Sequence, residues 1–426
     1  MPSYIQPDLF AEPPTPADPD ALQQLHAELC AFNEFGEATI IEEFTYEDQK
    51  VPVYINEFWT SKQRAASSLH EISYRACYKP QLPAFFIQRC SAPGEYVYDP
   101  FMGRGTTLLE AGFHGRNVVG CDINPLSKTL LSPRLSPPAL SEIAERLEQI
   151  ALTPYDGPES IEGHELLVFY HPETLEHLLT LRAYFIQRET EGTLDTVDQW
   201  IRMVATNRLT GHSAGFFSVY TLPPNQAVSI ESQIKINAKR DQTPPFRDLK
   251  AIILKKSKSL LSKVDPDQLA ALRQTDYQLI TGSADHTPEI ASESVALVVT
   301  SPPFLDVINY KLDNWLRCWF NGQDSSSIEI WQLRKPEQWM EAMSRVFIEL
   351  ARILKPGGYV AFEVGEVKGG KILMEELVIP AAVESGLKAE LILINAQQFT
   401  KTANCWGVNN TTKGTNTNRI ILLRKD

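Results

Sequence analysis

Two short runs in this sequence combine residue types that could do chemistry. The first is Asp99-Pro100-Phe101-Met102-Gly103-Arg104-Gly105-Thr106-Thr107. Two glycines one residue apart let a backbone turn approach a ligand with no Cβ in the way. Thr106, Thr107 and Leu108 follow, so the third glycine of a dinucleotide fingerprint is absent and a pyrophosphate cradle is disfavoured. Asp122 closes the next apolar run, where an acid can accept hydrogen bonds from ribose hydroxyls. The pair fits a nucleoside-bearing cofactor without a diphosphate, such as S-adenosylmethionine. Taken alone, the two glycines fit an ordinary tight turn equally well.

The second run is Thr300-Ser301-Pro302-Pro303-Phe304. Two prolines fix φ at successive positions and remove two N–H donors. The nearby carbonyls become rigid acceptors with no competing donor, and the Ser301 hydroxyl adds another. Such acceptors suit an amino group, which must be held by its hydrogens while its nitrogen attacks. Phe304 can stack on the base that carries the amino group. The competing reading is a rigid connection whose phenyl ring only packs.

Both runs need elements to hold them. Residues 94–99 read as a turn and a buried strand, 106–113 as a helix, and 117–122 as a second strand ending in an acid. That order is the first half of a doubly wound α/β sheet. The rhythm lapses over about 135–275, where helical patterns (140–151, 174–187) precede a basic stretch. It resumes at 295–300, an apolar strand leading into Ser301, and open α/β sheets bind ligands at that edge. A helix at 339–354, stopped by Lys355-Pro356-Gly357-Gly358, leads to a strand at 359–364. Strands at 391–395 and 419–423 close the chain as a hairpin.

Composition narrows the classes. The chain has 426 residues and is 43% apolar, enough for a sizeable core. No run is long enough for a membrane helix, and the proline-rich, acidic start lacks the features of a signal peptide. Six scattered cysteines with no CxxC pair predict a reduced, cytoplasmic protein without a metal site or disulfide framework. The net charge of −13 is concentrated at one end, since residues 1–50 hold eleven acids and one base. Residues 200–264 hold eleven Lys or Arg against three acids. Local charge sets the field a polyanion meets, although a basic face can equally be a solvated one.

Together, DPFMGRGTT, then DIN, then TSPPF resemble the amino-methylating DNA methyltransferases of restriction–modification type. The resemblance covers about 75–135 and 278–365. It implies a seven-stranded Rossmann-like α/β sheet with an antiparallel last strand and an inserted target-recognition region. It implies S-adenosylmethionine as cofactor, with Asp99, Pro100, Phe101, Gly103, Gly105, Thr106 and Thr107 around the donor. Asp122 and Ile123 would hold the ribose, and Asp285 would sit near the adenine amino group. Lys79 and Pro80 would belong to the segment closing over the methionine end. Asp285 could also be a loop cap, and Lys79 could open an ordinary helix. Ser301, Pro302, Pro303 and Phe304 would hold the target base. Serine at the head of that motif is typical of the cytosine-N4 branch, whereas the adenine-N6 branch usually has Asp or Asn. Most cytosine-N4 enzymes place the catalytic motif first, and this chain places it second.

The expected organisation is an acidic, partly disordered tail (1–50), a cofactor-binding half (51–135), an inserted recognition region (136–275) and a catalytic half (276–426). Asn207, Arg208 and His212 are candidates to read bases, and Lys235 to Lys258 to contact phosphates. The polar loop with Asn404, Trp406, Asn409, Asn410 and Asn416 either touches DNA or is a surface loop. The expected partner is double-stranded DNA, with a companion restriction endonuclease. Carbon-5 methylation needs a cysteine nucleophile after a proline, and no cysteine here follows one. Adenine-N6 methylation, RNA amino-methylation and a non-catalytic DNA-binding role are the competing readings.

Overall fold

The structure, a computed structural model, describes residues 19–59, 66–74, 77–222, 227–303, 310–328, 331, 333, 335–365, 373–396 and 417–426. Nine strands lie among the described residues: β1 (Ile40–Tyr46), β2 (Gln49–Asn56), β3 (Tyr96–Asp99), β4 (Asn117–Asp122), β5 (Tyr277–Thr281), β6 (Val295–Thr300), β7 (Leu354–Val364), β8 (Leu387–Ala396) and β9 (Thr417–Lys425). They form one sheet in the order β1-β2-β8-β9-β7-β6-β3-β4-β5. The five strands from β7 to β5 are mutually parallel. β9 runs antiparallel between β7 and β8.

The chain leaves β3 in one direction, to β4 and β5, and later returns on its other side with β6 and β7. The boundary between β3 and β6 is therefore the topological switch point, where the crevice of such sheets lies. The Asp99 run leaves β3 and the Ser301 run leaves β6, so the two candidate motifs meet there.

The sheet has nine strands where seven were expected. The additional pair is β1–β2, joined by a turn at Glu47, whose φ is +51°. β2 pairs in parallel with β8 and covers what would otherwise be a sheet edge. Nearly every β1 side chain is exposed or half-exposed, so no buried face repeats every second residue. The helix Pro19–Ala31 and β1 both fall within the acidic stretch 1–50.

Alternation along the strands fills two cores. Val97, Val118, Leu297, Val299 and Ala361 face one layer. Tyr98, Val119, Val298, Val360 and Phe362 face the other. The second layer is closed by the helices Pro336–Ile353 and Glu375–Glu384. In the first of these, Trp339, Met343, Val346, Phe347 and Leu350 recur at three- and four-residue spacing and are buried. Lys355 to Gly358 do not form a separate stop, since β7 already begins at Leu354.

Among the described residues of 136–275 the regular elements are helices joined by loops, with an isolated bridge between Gly211 and Tyr220. Their apolar side chains, among them Leu178, Phe185, Trp200, Ile253 and Leu260, join the same core as Val97 and Leu297. No helix among the described residues is long and apolar enough to cross a membrane.

Candidate active site

β3 ends at Asp99, and the turn that follows opens the helix Thr106–Phe113. Gly105 caps that helix with φ +77°, a conformation that favours glycine. A Cβ there would stand 2.5 Å from Leu131 Cδ1. Gly103 has φ +48°, and its N–H donates to Asp122 Oδ2 at 2.8 Å. The Asn124 N–H donates to Asp122 Oδ1, also at 2.8 Å. One carboxylate therefore ties the donor turn to the end of β4. Burial raises its pKa, and the two backbone donors oppose that shift.

The turn is also tied to the segment before it. Arg104 Nη1 donates to the carbonyls of His70 (3.2 Å) and Ile72 (3.0 Å). The fully buried Arg134 donates to the carbonyls of Leu69 and Arg104. Thr107 Oγ1 donates to the Val299 carbonyl at 3.0 Å, linking the helix to β6.

Asp99 is buried at the seam between the two motifs. Its Oδ1 accepts from Thr300 Oγ1 at 2.7 Å and from the Phe101 N–H at 3.1 Å. Its Oδ2 accepts from the Tyr78 hydroxyl at 3.1 Å. Burial pushes the carboxyl up to about 6 in spite of these donors.

After Thr300 the chain enters Ser301-Pro302-Pro303. Ser301 donates its hydroxyl to Glu363, a carboxylate on the neighbouring strand β7. Glu363 is buried, which raises its pKa, and it also accepts from Asn418 Nδ2 at 2.9 Å. The Pro303 carbonyl accepts from the indole Nε1 of the buried Trp339 at 3.0 Å. The segment is thus held from behind by β7 and by the helix Pro336–Ile353.

Between the motifs lies a cleft of about 720 Å³. Of the residues expected from sequence, Pro100, Phe101, Gly103, Asp122, Ile123, Ser301 and Pro303 line it. Tyr74, Asn124, Gly282, Ser283, Ala284 and Trp331 complete the wall and were not foreseen. Trp331 meets the Phe101 ring edge-on, 6.2 Å between centroids.

Other expected residues stand back from this wall. Asp99, Gly105, Thr106, Thr107 and Pro302 are not among the lining residues. Asp285 is not among the lining residues; its carboxylate accepts from Ser283 Oγ, on the wall, at 2.5 Å and from Arg345 Nε at 3.0 Å. Burial would raise its pKa, but those two donors hold it below the usual value. Lys79 is exposed and Pro80 opens the helix Gln81–Cys90, both away from the lining. Phe304 and the loop with Asn404, Trp406, Asn409, Asn410 and Asn416 lie outside the described residues. Among the described residues, no group of His, Cys, Asp and Glu could hold a metal ion.

In the basic stretch, Asn207 is buried and its Oδ1 accepts from the Ser73 N–H at 2.8 Å, so it braces the chain rather than facing a groove. Arg208 lies over the Phe216 ring at 4.1 Å, and Arg240 over the Tyr220 ring at 3.7 Å. The His212 ring is 6.1 Å from that of Phe216.

Residues 15–130 match the model of a family described as DNA methylase. Over 80 residues the chain is 38% identical to the Type II methyltransferase M.MvaI of Kocuria varians, covering 18% of each protein. Over 76 residues it is 34% identical to the Type II methyltransferase M.MjaII of Methanocaldococcus jannaschii, covering 18% of this chain and 14% of that one. The chain thus spans less than a fifth of the length of these relatives. Among solved structures, the rRNA methyltransferase aviRa of Streptomyces viridochromogenes gives a TM-score of 0.32 at 11% identity, over 87% of this chain and 96% of that one.

Proposed function

We propose that this chain, related through residues 15–130 to the DNA methylases that modify amino groups, methylates an exocyclic amino group in duplex DNA, and that the group is N4 of cytosine. The observation that carries this reading is the meeting of the two motifs across one cleft, with Gly103 and Asp122 on one wall and Ser301 and Pro303 on the other.

The cleft fits S-adenosylmethionine, which when bound supplies an electrophilic methyl group. Gly103 brings bare backbone to the wall. Asp122 keeps a carboxylate there for ribose hydroxyls, already oriented by the Gly103 and Asn124 N–H groups. Phe101 and Trp331 offer ring faces and edges for a purine.

An amino group conjugated to a base ring is a poor nucleophile. Because Ser301 donates its own hydrogen to Glu363, its oxygen lone pairs are available to accept from the amino group. The Pro302 carbonyl is the second acceptor assigned to that group. Two such acceptors draw the nitrogen toward tetrahedral geometry and stabilise the positive charge that develops on it. Trp339 holds the Pro303 end of the segment, so the acceptors need no reorganisation during the reaction. The base must leave the duplex, at a cost of roughly a few kcal/mol, and Phe304 is assigned the stacking that offsets it.

Within this reading the region 136–275 recognises the target sequence. Serine at position 301 favours cytosine. The order of the motifs, donor first, keeps adenine N6 as the second reading. Incubating the protein with S-adenosylmethionine and duplex DNA, then digesting the DNA to nucleosides, decides between them. N4-methylcytosine is expected. N6-methyladenine would transfer the reading to the adenine branch, and methylation of RNA alone would remove DNA as the substrate.

A further inference from the structure

We propose that a second, basic cleft on the helical layer seats the phosphate backbone of the duplex beside the target base. This rests on the DNA-methylating reading above. The cleft is open, spans about 1090 Å³ with the adjoining solvent, and is lined by Arg208, Arg247, Lys255 and Lys256. The one acid among its lining residues, Asp248, caps a helix, with Oδ1 accepting from the Ala251 N–H at 3.0 Å, and Glu71 beside the lining pairs with Lys256. The wall that runs along the helix Leu249–Leu261 spans lining residues 251 to 259. At 1.5 Å per residue that is about 12 Å, room for about two successive phosphates of one DNA strand rather than one small anion.

The cations are crowded. Burial, and then Arg317, hold Arg208 down to about 10. Burial and Arg208 in turn lower Lys256. Like charges held together in partial burial repel, and a polyanion relieves that repulsion. Arg247 Nε is buried with no hydrogen-bond partner, although its backbone is fixed at both ends by Thr174. At the rim Phe246 is 44% exposed, an apolar surface suited to a sugar or base edge.

The position of this cleft ties it to the methyl-transfer site. A strap of four residues, 71–74, separates the two. Glu71 pairs with Lys256 at 3.5 Å on the basic side. The Ser73 N–H donates to Asn207, and its carbonyl accepts from Arg317 Nη2 at 3.1 Å. Tyr74, at the end of the strap, lines the cleft that holds Ser301. One four-residue segment thus touches both clefts, a placement that suits a single nucleotide turned out of a strand lying in the basic one.

The test is the salt dependence of DNA binding by the full chain. Fluorescence anisotropy with a labelled duplex is recorded over a series of salt concentrations for Arg247→Gln, Lys255→Gln and the pair. Lys50→Gln, an exposed change on β2 outside the cleft, is the control. The expected result is weaker binding, with the slope of log K against log salt shallower by roughly 1 per cation removed and by about 2 in the pair. The S-adenosylmethionine affinity, measured by calorimetry, stays at the wild-type value. A wild-type slope in the double variant, or an equal change in Lys50→Gln, overturns the assignment while leaving methylation by the wild type as independent support for the underlying reading. A wild type that neither binds nor methylates duplex DNA overturns both.

Discussion

Thr300 donates its hydroxyl to Asp99 at 2.7 Å, joining the end of β6 to the end of β3 across 201 positions of sequence. The bond fixes the spacing of the two motifs, because each residue is the last of its strand. The acceptor is an unusual carboxylate, since burial pushes it up to about 6 against three hydrogen-bond donors.

That shift has a definite sign. A raised acid pKa means that the folded chain holds the proton more tightly than the unfolded chain. The contribution of Asp99 to stability is therefore greatest below about pH 4, falls as pH rises to about 6, and is flat above. A displacement of about 2 units corresponds to at most about 3 kcal/mol. Asp99→Asn is nearly isosteric and does not titrate. Urea unfolding at about pH 4 and about pH 7.5 should show the wild type losing about 2–3 kcal/mol relative to the variant as pH rises. A difference between the proteins that does not change with pH would contradict the assignment.

The turn that follows Asp99 depends on Gly105. An alanine there would adopt φ near +77° and bring its Cβ within 2.5 Å of Leu131 Cδ1, a side chain that is itself fully buried. The left-handed conformation costs about 1–2 kcal/mol and overpacking about 1–3 kcal/mol. Gly105→Ala should therefore lower stability by roughly 2–5 kcal/mol. The two parts separate in a double-mutant cycle with Leu131→Ala, which removes the clash and leaves the backbone strain. Denaturant melts of the four proteins should give a favourable coupling of about 1–3 kcal/mol, and strict additivity would show that Leu131 plays no part.

Much of this framework was legible in the sequence where the pattern is local. β3, β4 and β6 are apolar runs ending at Asp99, Asp122 and Thr300, and the helix Pro336–Ile353 carries an unbroken apolar stripe. β1 and β2 were missed because β1 has no buried face and the partner of β2 is β8, more than 300 residues away. Glu363 gave no signal, since one acid in the apolar strand β7 is indistinguishable from an exposed edge position until β6 is placed beside it. Tyr74 and Trp331 belong to no motif and reach the cleft only through the fold. Asp285 follows β5 where the resemblance puts an adenine contact, and its carboxylate is shared between Ser283 on the cleft wall and Arg345 on the packed helix.

The two walls of the cleft should fail in different ways. Asp122→Asn keeps one acceptor but removes the charge, so it weakens both the bonds to Gly103 and Asn124 and those assigned to the ribose. Hydrogen bonds to a charged group contribute about 1.5–3 kcal/mol each, so the affinity for S-adenosylmethionine should fall roughly 10- to 100-fold, as read by calorimetry. Ser301→Ala leaves the donor wall intact and removes an acceptor that acts as charge develops on the attacking nitrogen. Its turnover with saturating cofactor and DNA should fall on the order of 10²-fold, while cofactor affinity changes little. Because Ser301 also donates to Glu363, Ser301→Ala leaves that carboxylate with Asn418 as its other donor. Ser301→Thr keeps the hydroxyl and should recover part of the turnover. If Ser301→Ala and Asp122→Asn instead lose cofactor binding in equal measure and keep equal turnover at saturation, Ser301 belongs to the donor wall and the amino group is held elsewhere.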